Sequence, residues 1–227
     1  MNKTAIDWAD YTWNPVTGCK HGCRYCYARK IAERFKGSKA WPNGFEPTFQ
    51  STRLSDPGSK TKEQSIFVCS MADLFGEWVP DSWIDSVMRT SSAIPQHTYI
   101  FLTKNPKRYL TVPGEFVLHK NFWFGTTITD AYDCCQRLHW LQRLTSENTF
   151  VSFEPLLNDV SVPNLTGIKQ VIIGAQTNPD QYVELEWVTK ICEAADRAGA
   201  KVFMKDSLKG RWPDREFRRE LCWKVNK

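Results

Sequence analysis

The sequence predicts an α/β fold, a partial (open) TIM-like (β/α)6-7 barrel with parallel strands. Two observations carry this. Six short apolar runs, rich in Val, Ile and Phe and continuous rather than alternating, read as strands covered on both faces. Helix-length segments separate them at intervals of ~25 residues, the rhythm of βα units in a parallel sheet.

The elements follow in order. A seventh strand falls within "IDWADYTWNP" (6–15). The stretch "GCKHGCRYCYARKIAERF" (18–35) packs Cys19, Cys23 and Cys26 into one loop ahead of a helical pattern. From 37 to 62, Gly, Pro, Ser and Lys displace the aliphatics, which predicts a loop insertion. A functional lid and a passive surface excursion are both open for it. Strands are then expected at "SIFVCS" (65–70), "TYIFLT" (98–103), "FWFGTT" (122–127), "TFVSFE" (149–154), "QVIIGA" (170–175) and "AKVFMK" (200–205). Among the helices, "DSWIDSVMRTSSA" starts at Asp81 as cap after Pro80, and "DAYDCCQRLHWLQRLTS" starts at an Asp130 cap. "YVELEWVTKICEAADRAGA" ends at Gly199, and "DREFRRELCWK" after Pro213 is expected to be a C-terminal helix.

Bulk composition narrows the class. With 227 residues, 41% of them hydrophobic, the chain can bury one sizeable core, so residues 1–227 are expected to be a single domain. Charged residues at 24% speak against wholesale disorder. Ten Trp and thirteen Phe fit an aromatic-rich core. A net charge of +5 permits an anionic partner without requiring one. No apolar run approaches the ~18 residues of a membrane span, and no secretory leader pattern opens the chain. The expectation is a cytoplasmic protein without a membrane partner. In that compartment the eight cysteines are not a disulfide framework. Cys69, Cys134, Cys135, Cys192 and Cys222 are scattered and read mostly as buried apolar fillers.

In parallel βα architectures ligands gather beyond the carboxyl ends of the strands. The expected strands lead there into Asp73, Lys104, Thr126 and Thr127, Glu154, Gln176, and Lys205. Any one of these is ordinary, because polar residues commonly end strands. Six ends on one rim point to a shared polar pocket. Glu154 ends a run that is apolar apart from Ser152, so its carboxylate asks for a partner. Lys104 and Lys205 are the candidates, for a structural ion pair as much as a site.

Three readings fit the clustered cysteines. Zinc would need His21 as fourth ligand, in a crowded geometry. A Cys23–Cys26 redox pair would leave Cys19 without a role. An iron–sulfur cluster on three thiolates would leave one iron open for a substrate or cofactor. Gly18 and Gly22 suit a loop bending tightly around a bulky group.

The arrangement C-x3-C-x-Tyr-C, in a loop before the first helix, resembles the radical S-adenosylmethionine (SAM) superfamily. The flanking "WNPVTGC", "CYAR", "SMADLF", "FEPLL" and "VIIG" are similar to a family of short phage and prophage proteins of uncharacterised function. The resemblance covers most of the chain and implies a [4Fe–4S] cluster on Cys19, Cys23 and Cys26. S-adenosyl-L-methionine would bind the open iron, and Tyr25 would pack near its adenine. A reduced cluster would cleave the sulfonium to a 5′-deoxyadenosyl radical that abstracts hydrogen from a substrate. The superfamily carries Gly-Gly-Glu after its second strand, contacting the SAM amino group. This chain has Ser70-Met71-Ala72-Asp73 there, with Asp73 as the substitute. Thr126, Thr127 and Glu154 fall where further contacts would come from, and "VIIGAQ" would bring backbone near the adenine. A non-catalytic iron–sulfur module assisting another protein is the alternative.

Partners are suggested by charge. From Cys23 to Lys39 only Glu33 opposes Arg24, Arg29, Lys30, Arg34, Lys36 and Lys39. The tail adds Lys205, Lys209, Arg211, Arg215, Arg218 and Arg219. Such patches bind nucleic acid, dock a reducing protein such as flavodoxin or ferredoxin, or simply face water. Trp13, Trp41 and Trp212 are candidates for stacking on bases, with core packing the commoner use of Trp.

Overall fold

The apolar runs become neighbours in one open sheet in the computed structural model, which describes residues 1–161, 164–212, 216–224 and 226. The chain begins with β1 (Asn2–Lys3), β2 (Tyr11–Trp13) and β3 (Val16–Thr17), then α1 (Tyr27–Arg34) and β4 (Thr48–Phe49). Then come β5 (Ser65–Val68), α2 (Asp81–Ala93), β6 (Thr98–Thr103), the short α3 (Gly114–Val117) and β7 (Phe122–Thr127). The rest is α4 (Ala131–Leu141), β8 (Thr149–Phe153), β9 (Gln170–Ile173), α5 (Leu185–Ala198) and β10 (Lys201–Met204).

The sheet order is β1-β2-β5-β6-β7-β8-β9-β10. From β2 to β10 all neighbours are parallel, while β1 is antiparallel to β2. β1 and β10 do not pair, so the barrel is open, as expected. The strand in "IDWADYTWNP" is β2. Its pairing with β5 begins at Tyr11 opposite Ile66.

Period-two alternation divides the residues between two faces. Ile66, Phe101, Phe124, Val151, Ile173 and Met204 face outward, where Val87 and Met88 of α2, Leu138 and Leu141 of α4 and Ile191 of α5 cover them. Phe67, Ile100, Trp123, Phe150, Ile172 and Phe203 face inward and, with Trp8 and Trp223, fill the barrel below its mouth. Burial on both faces is why the runs are continuously apolar. Cys69, Cys134 and Cys192 are buried as fillers, whereas Cys135 is exposed and Cys222 half-buried.

Several boundaries differ from expectation. β5 stops at Val68 because Cys69 turns to φ 59°, with its N–H held by the Trp13 carbonyl at 2.7 Å. At the start of α2 it is Pro80 that caps, and Asp81 is the first helical residue, bonded to Arg108. The Asp130 cap is as expected, its side chain accepting from the Asp133 N–H. Gly199 ends α5 in the left-handed conformation.

The expected C-terminal helix does not form in residues 216–224; Pro213, Asp214 and Arg215 lie outside the described residues. The segment runs extended along β10 instead, with Met204 N–H bonded to the Arg218 carbonyl and Glu220 N–H to that of Val202. β10 is an edge strand with backbone groups to satisfy, and the tail satisfies them. It then crosses the gap in the barrel. Trp223 enters the interior and donates to the Trp8 carbonyl, and Asn226 N–H reaches Asp10. No helix among the described residues is long and apolar enough to cross a membrane.

Candidate functional site

The cysteine loop is pressed against the carboxyl end of β5. Gly18 N–H donates to the Met71 carbonyl at 3.0 Å, and Cys19 N–H to that of Phe45 at 3.1 Å. Gly18 has φ +86°, and a Cβ on it would lie 2.3 Å from the Glu46 carbonyl oxygen. Only glycine fits there. Gly18→Ala is therefore expected to push the loop off its seat and to lower iron uptake on anaerobic reconstitution. Unaltered iron content in a folded variant would show that the seat is dispensable.

Cys26 caps α1, its Sγ accepting from Arg29 N–H at 3.4 Å. Behind it, Trp41 and Phe45 bury Ala28 and Ala32 of α1, and Cys19, Cys26 and Met71 pack onto that small cluster. These two aromatics come from the 37–62 segment. The same segment supplies β4, paired with β3, and Arg53, whose carbonyl accepts from Trp13 Nε1. This part of the insertion buttresses the cysteine loop from behind.

Cys19, Cys23 and Cys26 line a cavity of about 350 Å³ at the barrel mouth. Its apolar floor is Ile6, Trp8, Phe67 and Leu102, and its rim includes Thr127, Ser152, Glu154, Gln176 and Lys205. Burial pushes the Cys19 thiol up to about 12, and the nearby Asp73 carboxylate adds to this. A cation must be supplied before this sulfur becomes a thiolate. Among the described residues no three His, Cys, Asp or Glu side chains converge closely enough to share a single metal ion. A cubane asks for less convergence, because each thiolate takes a different iron. Three free thiols on a firmly backed loop facing a cavity fit such a cluster.

Asp73 is buried and accepts four hydrogen bonds. Oδ1 receives Thr103 Oγ1 at 2.6 Å and Phe75 N–H at 3.1 Å. Oδ2 receives His21 Nε2 at 2.7 Å and Lys104 N–H at 2.9 Å. Burial by itself would raise its pKa, but His21, Thr103 and the Lys104 amide together hold the carboxyl below its ordinary range. Every lone pair is engaged, and the His21 bond ties the cysteine loop to the ends of β5 and β6.

Lys104 Nζ donates to Tyr25 Oη at 2.7 Å and lies 5.3 Å from the ring centroid. Burial depresses the Lys104 pKa and raises that of Tyr25. Across the mouth, Glu154 after β8 and Lys205 after β10 form an ion pair. Gly174 makes room for it, since a Cβ there would stand 3.1 Å from Lys205 Cδ and 3.2 Å from Glu154 Cδ. Ser70 lines the cavity, its hydroxyl near Asn14 Oδ1 and its carbonyl accepting from Tyr27. Gln176 lines it too and donates to the Pro179 carbonyl.

Thr126 stands apart from the other rim residues. It is fully buried, on the helix-facing side of β7, with its hydroxyl donated to the Thr103 carbonyl. Strand alternation sends Thr127 alone of the two into the mouth. Sequence reasoning missed Asn14, which accepts from Met71 N–H at 2.9 Å and holds the turn leading to Asp73. Its place after the last residue of β2, in "WNP", was the available signal. Sequence reasoning also missed the His21–Asp73 bond, which joins residues 52 apart.

The two basic stretches differ. In the tail, Lys209 pairs with Asp206, Arg211 with Asp180, Arg218 with Asp196 and Glu220, and Arg219 with Asp7 and Asp206. Arg215 lies outside the described residues. Around α1, Arg29 is turned inward onto the Cys19 carbonyl and the Phe45 ring. Arg24, Lys30, Arg34 and Lys39 are exposed and form no ion pair among the described residues. Trp13 and Trp41 are buried and so closed to a base, while Trp212 is half-buried against the outer core.

The family described as "Protein of unknown function (DUF5131)" matches residues 3–224. No curated protein matches the chain. Among solved structures, a spore photoproduct lyase mutant with dinucleoside spore photoproduct has a TM-score of 0.59 at 11% identity, covering 90% of this chain and 79% of that one. Spore photoproduct lyase complexed with the same compound gives 0.59 at 10%, with coverage of 90% and 79%. A mutant with bound AdoMet and the dinucleoside gives 0.58 at 10%, with coverage of 89% and 78%. At this identity the likeness is one of fold.

Proposed function

The chain belongs to the DUF5131 family, and we propose that this protein is a radical SAM enzyme acting on a nucleic acid or nucleotide. The observation that carries the reading is the placement of Cys19, Cys23 and Cys26 on a buttressed loop facing the mouth of an open parallel barrel. Binding of AdoMet by a structure of the same fold supports it, as does the dinucleoside held by that protein.

Cys19, Cys23 and Cys26 would hold three irons of a [4Fe–4S] cluster, which together with SAM supplies one-electron cleavage of the sulfonium to a 5′-deoxyadenosyl radical. The chain contributes position and shelter. Ile6, Trp8, Phe67 and Leu102 exclude water from the floor, where a reactive carbon would otherwise be quenched. Thr127, Ser152, Gln176 and the Glu154–Lys205 pair offer donors and acceptors for the polar groups of a nucleoside and an amino acid. Gly174 gives that pair the space its side chains occupy. Electrons would come from a reducing protein such as flavodoxin or ferredoxin.

The saturated Asp73 favours a second reading, an iron–sulfur module without SAM chemistry, because the carboxylate expected to meet the SAM amino group is already spent. One experiment separates the two. The full chain is reconstituted anaerobically with iron and sulfide, reduced with dithionite, supplied with SAM and assayed by chromatography. Formation of 5′-deoxyadenosine is expected. A reduced, cluster-loaded protein that leaves SAM intact would select the second reading.

A further inference from the structure

One face of α1 is turned outward. Tyr27, Ile31 and Phe35 follow each other at four-residue intervals, one above the next along the helix and its cap. They are 53%, 39% and 51% exposed. Ala28 and Ala32 already supply the buried side of α1, so this row is surplus to the core. Single exposed apolar residues are ordinary, but a contiguous row with two aromatic rings marks a contact surface.

Lys30 and Arg34 on α1, with Arg24 just before the helix and Lys39 just after it, are exposed and without carboxylate partners among the described residues. The paired tail cations show that the fold neutralises positive charge elsewhere. Here it is left available. The Arg34 guanidinium lies 5.6 Å from the Phe35 ring centroid and extends its flat surface. At its other end the row runs into the cavity, which Tyr27 and Lys30 line together with Cys23 and Cys26.

We propose that α1 is a track for single-stranded nucleic acid, with bases resting on Tyr27 and Phe35, phosphates beside the unpaired cations, and one nucleotide entering the cavity. A polyanion is what uncompensated cations attract. Aromatic faces hold bases of any sequence when these are not stacked in a duplex. An apolar floor behind a polar rim suits a base taken out of its stack. An acidic protein would meet the same charges, but the paired rings and their continuity with the cavity favour a strand. The inference rests on the proposed chemistry only for the fate of the nucleotide; binding is read independently.

The test is fluorescence anisotropy of a labelled, mixed-sequence single strand, in DNA and RNA forms, titrated with the reconstituted full chain over a range of salt. Saturable binding to either form, weakening as salt rises, is expected. The double variant Arg34→Glu, Lys39→Glu should flatten the slope of log affinity against log salt by about 0.7 for each cation lost on a single strand. Phe35→Ala should weaken binding roughly fivefold to a hundredfold. None of these three residues lines the cavity, so iron content and substrate-free SAM cleavage should stay as in the parent. That separates a failed track from failed chemistry. Absence of binding at low salt, equal binding by the variants, or a duplex bound as tightly as the single strand would overturn the proposal. So would a flavodoxin that binds where the strand does not and is lost on the same variants.

Discussion

Cys23→Ala is expected to abolish cluster assembly, taking reconstituted protein from roughly four irons per chain to roughly none and removing its visible absorbance. The reason is arithmetic. The loop offers three thiols, and none of the other five cysteines lines the cavity: Cys69 is buried after β5, and the rest lie in the helix layer or the tail. Two remaining sulfurs cannot retain a cubane that three hold with one corner open. Cys23 lies half-buried on a loop, so circular dichroism and the thermal transition should change little. Cys135→Ala, at an exposed position of α4, is the control and should load iron as the parent does. Full iron content and an unchanged spectrum in Cys23→Ala would end the assignment of all three ligands.

Asp73→Ala is expected to cost roughly 3–5 kcal/mol of stability, the range for breaking a buried, charge-assisted network. It strands the amides of Phe75 and Lys104, the Thr103 hydroxyl and the His21 ring. For a chain of this length that corresponds to a melting temperature lower by roughly 10 °C. Asp73→Asn should also destabilise, since in either orientation its amide nitrogen would face a backbone N–H, that of Phe75 or that of Lys104. Iron loading should fall in both, because His21 loses its tether and the cysteine loop is freed. The pH dependence has a definite sign. The folded carboxyl is held below its ordinary value of 3.8, so its stabilisation is complete above that pH and is lost as pH falls through the folded value. The melting difference between parent and Asp73→Ala should therefore narrow below pH 3.8. If SAM binding weakened while melting and iron content held, Asp73 would contact SAM directly and the anchoring role would be wrong.

Two other features carry different weight once the fold is known. The 37–62 segment has the composition of an idle loop, yet Trp41 and Phe45 within it form the wall behind Cys19 and Cys26. The tail, which has the composition of a basic helix, is a strap along β10 whose cations, among the described residues, are matched by acids. Composition measures charge and polarity and is blind to which partner each residue meets.

The sheet and the cysteine motif are legible in short stretches of the chain. Strand runs covered on both faces must be apolar throughout, and that continuity is a local property, readable within six residues or so. Three thiols that serve one loop must likewise lie close in sequence. The tertiary structure decided the rest. The His21–Asp73 bond spans 52 positions, the Glu154–Lys205 pair 51 and the Trp223–Trp8 contact 215. No window of sequence contains both ends of such contacts. Whether a carboxylate is spent or a cation left free depends on what the folded chain brings beside it.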